Sequence, residues 1–274
     1  MVEDVKLSSL PLKSDKFTSR IIKASALITD TKILLANWQA SLSLGENLAS
    51  LRTNNPFGKA SQSRLEDILP ILRRRYLSDA AVALSLATFS RCSSSGTLKQ
   101  LLYFYSARAD PLLHAFVTEE LQDRYRRGRH DVPTDEVIRL LREWVDIGRT
   151  TMRWSEETIA RVAQGILTTL RDFDILVGAV NKRLNPPPLS LQAFAFLALD
   201  LSRTGASGAQ LLTHPEWRVF FLEANMTERL FIAADQAGLL QFAAAGTVIR
   251  IDFPTQSLED YSSFLTHASN QPIT

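Results

Sequence analysis

The sequence predicts a mainly α-helical, all-α globular multi-helix fold with two helix-turn-helix-like elements and a small C-terminal β-hairpin. Three observations lead there. Apolar residues recur at helical spacing along most of the 274 residues, caps and Gly or Pro breaks divide them into segments, and a single stretch near residue 250 has the β-branched composition of a strand.

Residues 16–28 and 30–41 read as short helices, the second opened by Thr29 or Asp30, and residues 44–53 as a third. Asn54-Asn55-Pro56-Phe57-Gly58 is a turn. After it Leu65, Ile68, Leu69, Leu72 and Tyr76 form one apolar stripe on a helix over 59–77, which Pro70 should kink. Ala80–Phe89 is apolar nearly all round, as a helix in the middle of a bundle would be. Further helices fit 96–108, 111–127 with Pro111 at its first position and Gly128 beyond its end, and 134–147 with Thr134 as cap.

The best-marked helix spans 155–173. Ser155 is an N-cap residue, Glu156 and Glu157 suit the positive end of the dipole, and Trp154 can staple onto Ile159. Ile159, Val162, Ala163, Ile166, Leu167, Leu170 and Phe173 form its apolar stripe, opposite Glu157, Arg161, Gln164 and Thr168. Asn185-Pro186-Pro187-Pro188 marks a sharp boundary. Helices near 189–204 and 225–237 follow, then a hairpin from Leu239–Ala243, Gly246 and Thr247–Phe253, and a last helix over 256–267. This divides the chain into a basic helical region 1–110, a second helical region 111–185 and an acidic, winged-helix-like region 186–274, expected to form one compact unit.

The formal charge of +2 conceals its own distribution. Residues 1–110 hold 15 basic and 9 acidic side chains, residues 111–195 hold 12 of each, and residues 196–274 hold 4 and 8. Such asymmetry bears on partners, with an anionic ligand expected at the basic end. Arg outnumbers Lys by 23 to 8, which fits bidentate phosphate or guanine recognition as well as a simple codon bias. At 45% hydrophobic and 22% charged, global disorder is excluded. The single cysteine, Cys92, can form neither an internal disulfide nor a structural zinc site. The acidic start lacks a secretory h-region and no stretch approaches the ~20 apolar residues of a membrane helix, so a soluble cytoplasmic protein is expected.

Catalytic signatures are mostly missing. The chain contains no phosphate-binding loop, no dinucleotide fingerprint and no zinc-protease motif. His114, His130, His214 and His267 are too scattered for a metal set, and Gly205-Ala206-Ser207-Gly208 does not meet the nucleophile-elbow pattern. Asp172 and Asp174 could suggest a metal-dependent nuclease, but no Glu-x-Lys accompanies them and a helix end explains the pair. No catalytic residue, metal or cofactor is expected.

Nucleic-acid signals are stronger. Residues 52–75 contain Arg52, Lys59, Arg64, Arg73, Arg74 and Arg75 against Glu66 and Asp67, in the order helix, turn, amphipathic helix. A recognition helix enters the major groove with its N-terminal residues, here Lys59, Ser61, Gln62 and Arg64. Arg52, Lys59, Arg73, Arg74 and Arg75 would contact phosphates, with Gln62 and Arg64 facing the groove. The alternative is a solvated helix whose final arginines complement its dipole. Helices 134–147 and 155–173 make a second such element, with Arg153 in the connection and Arg161, Gln164 and Thr168 outward; a capped packing helix is the alternative. Arg124, Arg126, Arg127 and Arg129 read as local ion pairs beside Glu119, Glu120 and Asp123. Helix 225–237 with its hairpin lies in acidic surroundings and is expected to face protein rather than DNA.

The chain resembles the BrxA family, a core component of bacteriophage-exclusion (BREX) defence systems. The resemblance is carried by Ser63-Arg64-Leu65-Glu66-Asp67-Ile68-Leu69-Pro70-Ile71-Leu72-Arg73-Arg74-Arg75-Tyr76, by Leu102-Tyr103-Phe104-Tyr105, and by Trp154-Ser155-Glu156-Glu157-Thr158 running into Leu170-Arg171-Asp172-Phe173. Ala237-Gly238-Leu239-Leu240 and Phe253-Pro254 with Ser257-Leu258-Glu259 extend it over about residues 15–265. It implies a nearly all-α fold with two helix-turn-helix-like elements, double-stranded DNA binding without catalysis, and work beside a methyltransferase, an ATPase and a phosphatase-like protein. A protein-interaction adaptor without a direct DNA role is the competing expectation.

Overall fold

The computed structural model describes residues 16–57, 62–246 and 248–268. The fold is mainly helical, with two small antiparallel strand pairs. Residues 16–28 do not make the helix expected of them. Phe17 donates its N–H to the carbonyl of Arg149 at 2.7 Å and accepts from the N–H of Thr151 at 2.9 Å, so its backbone is used across the chain, and only a 3-10 turn, Ser19–Lys23, remains. Helix α1, Ile28–Ala36, starts ahead of Thr29 and Asp30, with Leu27 in the left-handed region as its N-cap (φ 50°). Thr31 stabilises that start through its hydroxyl, which donates to the Leu27 carbonyl.

Helix α2, Leu44–Asn54, opens with a reciprocal capping box between Ser43 and Glu46. The loop before it is organised by the buried amide of Asn47, which accepts from the N–H of Gln39 and donates to the carbonyls of Gln39, Leu42 and Ser43. Asn55, at φ 39°, turns the chain out of α2, a conformation Asn tolerates better than most residues. Helix α3, Gln62–Tyr76, carries Pro70 inside it; the start expected at 59–61 lies outside the described residues. Helices α4, Ala80–Cys92, and α5, Ser95–Ala109, are capped by Asp79 and Ser94. A buried hydrogen bond of 2.7 Å between the hydroxyls of Tyr76 and Ser106 joins α3 to α5.

The segment read as one helix over 111–127 is α6, Pro111–Ala115, a π-helical stretch, Phe116–Leu121, and α7, Gln122–Arg126. Wider winding changes which carbonyls close within the helix, and the carbonyl of Thr118 accepts instead from Nη2 of Arg218 at 2.9 Å. Helix α8, Thr134–Asp146, has Pro133 rather than Thr134 at its cap position. Helix α9, Glu156–Asp172, is capped by Ser155 as its sequence predicts, and its apolar stripe is buried.

A minimal strand pair, β1 Leu176–Val177 with β2 Arg183–Leu184, has no counterpart in the sequence reading. The proline run after it is docked rather than loose: Nε2 of Gln100 donates to the carbonyl of Pro188, and Oε1 accepts from the N–H of Ser190. Ser190 then caps α10, Leu191–Ser202, whose residues 193–201 are all buried. Helix α10 packs against α5, so the chain after the prolines shares the core of the chain before them.

Two short elements missed by helical periodicity follow, α11, Ala209–Leu212, and a 3-10 turn, Pro215–Phe220. Helix α12, Ala224–Gln236, leads to the expected hairpin, with β3 at Gln241–Ala245 and β4 at Val248–Asp252 in a register that pairs Ala245 with Val248. Its first strand begins two residues later than predicted because Leu239 and Leu240 are buried at the end of α12. Helix α13, Leu258–Ala268, packs on α4 and α10, and the buried hydroxyl of Tyr261 donates to the Leu239 carbonyl at 2.7 Å.

Candidate nucleic-acid interface

Helix α2, the turn and α3 stand in the order the sequence predicts. Between the two helices lies a groove of about 620 Å³, floored by Leu44, Leu48, Leu69 and Pro70 and edged by Arg52, Arg73 and Arg74. Arg52 and Arg73 are exposed and have no carboxylate partner among the described residues. Arg74 is half-buried; burial lowers its pKa from the ordinary arginine value, and its Nε has no hydrogen-bond partner among the described residues. Lys59 and Ser61 lie outside the described residues, as do the side chains of Gln62 and Arg64.

Arg75 is a correction. Its residue is 5% exposed, and its guanidinium donates to the carbonyls of Ala24, Ser25 and Ala26, so it is not available to a phosphate. The sequence does not separate it from its neighbour: Arg75 stands three residues after Leu72 and Arg73 four after Leu69, so both flank the apolar stripe, and the carbonyls of residues 24–26 decide between them.

The second predicted element is α8, the connection 147–155 and α9. Arg142 of α8 binds Glu156 of α9 through Nε at 3.1 Å and Nη2 at 2.7 Å. In the connection, Arg149 makes a two-bond contact with Glu119 at 2.6 and 2.7 Å, and its guanidinium lies 4.6 Å from the Phe17 ring centroid and 4.7 Å from that of Trp144. These contacts fix the connection although it is longer than a tight turn. Arg153, 87% exposed, is only loosely paired to Asp146 at 3.7 Å; Arg161 is exposed and 3.9 Å from Glu157. Gln164 is exposed and Thr168 half-buried on the same helix. Glu156 and Glu157 sit in its first turn, and the hydrogen bonds from Arg142 hold the Glu156 carboxyl below the usual range.

Residues 17–26 touch both elements. Phe17 pairs with the α8–α9 connection, Ile21 packs where α9 has Gly165, and the carbonyls of 24–26 are held by Arg75 of α3. A Cβ on Gly165 would stand 3.2 Å from the Ile21 carbonyl oxygen, so a larger residue there would force the two segments apart.

Of the other candidates, Asp174 is bound to Lys99 at 2.6 Å, which fits a helix-end role for the Asp172 and Asp174 pair. Arg124 binds both Glu120 and Glu136, and Arg127 binds Asp123, as local ion pairs. Among the described residues no helix is long and apolar enough to cross a membrane.

No curated protein matches the chain. Two solved structures are similar in fold. An uncharacterized protein from Magnetospirillum magneticum is 14% identical, over 69% of this chain and 95% of its own, with a TM-score of 0.58. A structure described as SspB is 11% identical, over 94% of this chain and 90% of its own, also with a TM-score of 0.58. A family model described as BrxA matches residues 15–200. The chain belongs to the BrxA family, and that membership points to a component of a BREX phage-defence system.

Proposed function

We propose that this protein is a non-enzymatic, double-stranded DNA-binding component of the defence assembly, with its primary contact on α2, the turn and α3. The observation that carries the reading is the placement of Arg52 and Arg73 on one groove, exposed and without carboxylate partners among the described residues, in a fold where many other arginines are internally paired. Unpaired arginines on adjoining helices suit successive phosphates, and binding them would release condensed counterions. Lys59, Ser61, Gln62 and Arg64, at the start of α3, are the candidates for the groove face. Arg153, Arg161, Gln164 and Thr168 supply a second contact. The acidic last third faces the partner proteins, a methyltransferase, an ATPase and a phosphatase-like protein.

The test is anisotropy of a labelled duplex over a salt series. Replacing Arg52 and Arg73 together by Gln should weaken binding at least tenfold and reduce the slope of log K against log salt by about 2, since each neutralised phosphate contributes ~0.9. Unchanged affinity and slope would remove the α2–α3 site. Binding of an acidic partner protein, with no duplex binding even at low salt, would favour the adaptor reading.

A further inference from the structure

A second cavity, of about 540 Å³, opens on the other side of Arg74. It is lined by Arg74, Arg75, Arg108 and Arg203, with Asp79 and Asp200. These come from the end of α3, the cap of α4, the end of α5 and the end of α10, four segments widely separated in sequence.

Asp200 is the hub. Its side chain is 7% exposed; Oδ2 accepts from the hydroxyl of Tyr105 and from Nη1 of Arg108, both at 3.0 Å, and Oδ1 accepts from Nη1 of Arg203 at 3.3 Å. Asp79 caps α4 through Oδ1 and takes the same Nη1 of Arg203 on Oδ2 at 3.0 Å. Both carboxylates are therefore fully engaged. The arginines are not: each of Arg108 and Arg203 uses only Nη1 for these bonds, and Arg74 has no carboxylate within ion-pair distance among the described residues. Asp110 and Arg20, both close enough to act on Arg74, add one charge of each sign and leave the positive excess of the lining unchanged.

We propose that this cavity is a binding site for a small phosphorylated molecule of mononucleotide size, with the phosphate held by Arg108, Arg203 and Arg74. Three features favour that ligand. A guanidinium fixed on one edge by a carboxylate is oriented to bind a phosphate with the other. The volume lies within the ~300–1,000 Å³ usual for small-molecule sites. Val82, Tyr76 and Ala109 give the wall an apolar part against which a ring can rest. Arg74 borders the α2–α3 groove as well, but neither Arg108 nor Arg203 does, so substitutions at those two test this site apart from the DNA reading.

Calorimetry and thermal denaturation of the full chain test it with inorganic pyrophosphate, the common nucleoside monophosphates and triphosphates, and citrate as a carboxylate control. Saturable binding of at least one phosphate compound, with a rise in melting temperature, is expected, and citrate should bind at least tenfold more weakly. Arg108→Gln and Arg203→Gln should each reduce the affinity at least tenfold, while Arg139→Gln, at an exposed position on α8, leaves it unchanged. Both glutamine variants disturb the buried Asp200. Thr204→Trp therefore serves as the second variant, since exposed Thr204 lines the cavity and a large ring there blocks it without breaking those ion pairs. Thr204→Trp should lose phosphate binding and retain duplex binding. The proposal is overturned if the wild-type chain binds none of these compounds at millimolar concentration, if citrate binds as tightly, or if the folded Thr204→Trp protein binds them unchanged.

Discussion

Nη1 of Arg75 donates to the carbonyl of Ser25 at 2.8 Å and joins two segments fifty residues apart. The same guanidinium reaches the carbonyls of Ala24 and Ala26, which would otherwise be acceptors left in a buried corner. Arg75 and Arg73, two residues apart, therefore predict opposite phenotypes. Arg75→Gln should cost about 2–4 kcal/mol in urea denaturation, because hydrogen bonds from a charged donor to buried carbonyls are lost together. Duplex affinity of its folded fraction should keep the wild-type salt slope. Arg73→Gln should change stability by less than about 0.5 kcal/mol, as exposed substitutions do, and weaken duplex binding severalfold. If Arg75→Gln instead lowers the salt slope with unchanged stability, the buried assignment is wrong.

Gly165 has no Cβ to meet the Ile21 carbonyl, and that close approach lets the 3-10 turn Ser19–Lys23 lie against α9. Gly165→Leu should displace the turn. A loss of about 2–3 kcal/mol is expected from overpacking, together with faster tryptic cleavage after exposed Arg20 and Lys23. Gly165→Ala has two opposed effects, ~1 kcal/mol of helix propensity gained and a contact that needs only a few tenths of an ångström of relief, so it should be close to neutral. Cleavage of the Leu variant at the wild-type rate would show that the turn is held elsewhere.

The elements legible in the sequence were those whose own residues determine them. The cap at Ser155, the buried stripe of α9, the turn after α2 and the hairpin around Gly246 each follow from local chemistry. What was not legible depended on distant partners. Residues 16–28 lack a helix because Phe17 pairs with the α8–α9 connection, and the π-helical stretch offers the Thr118 carbonyl to Arg218, a hundred residues away. Arg75 looked like its neighbours because a run of three arginines hides which one falls on the apolar face. Arg108, Asp200 and Arg203 form their cluster only when α5 and α10 pack together, and nothing in their local sequence marks them as a set.

Arg124 links α7 to α8 through Glu136, and hydrogen bonding by that guanidinium holds the Glu136 carboxyl below its usual range. A depressed carboxylate contributes stability that is present above its unfolded pKa and is lost as the pH falls through the folded value. Glu136→Gln should therefore be less stable than wild type at pH 7, by about 1 kcal/mol for one charge-assisted bond. The difference should close as the pH falls below the ordinary glutamate pKa. Denaturant midpoints of both proteins between pH 7 and pH 3 check this; a gap that persists or widens in acid would rule out the ionised pair as its source.

Helix α9 presents a conflict that a single substitution resolves. Its exposed Arg161 and Gln164 suit a phosphate or a base edge, but Glu157, 83% exposed in the first turn, puts a negative charge where a recognition helix would approach the DNA. Glu156 presents less of this obstacle because Arg142 neutralises it. If α9 contacts DNA, Glu157 repels the backbone and restrains Arg161, so Glu157→Gln should raise duplex affinity about two- to fivefold at low salt, with the gain fading as screening shortens the Debye length from ~10 Å at 0.1 M towards ~3 Å at 1 M. Arg161→Gln should weaken binding by a similar factor, and the two effects should not add, because removing Arg161 also removes what Glu157 restrains. Unchanged affinity in both variants, with the Arg52 and Arg73 effect intact, would confine DNA to α2–α3 and leave α9 as a packing helix held by Gly165 and Ser155.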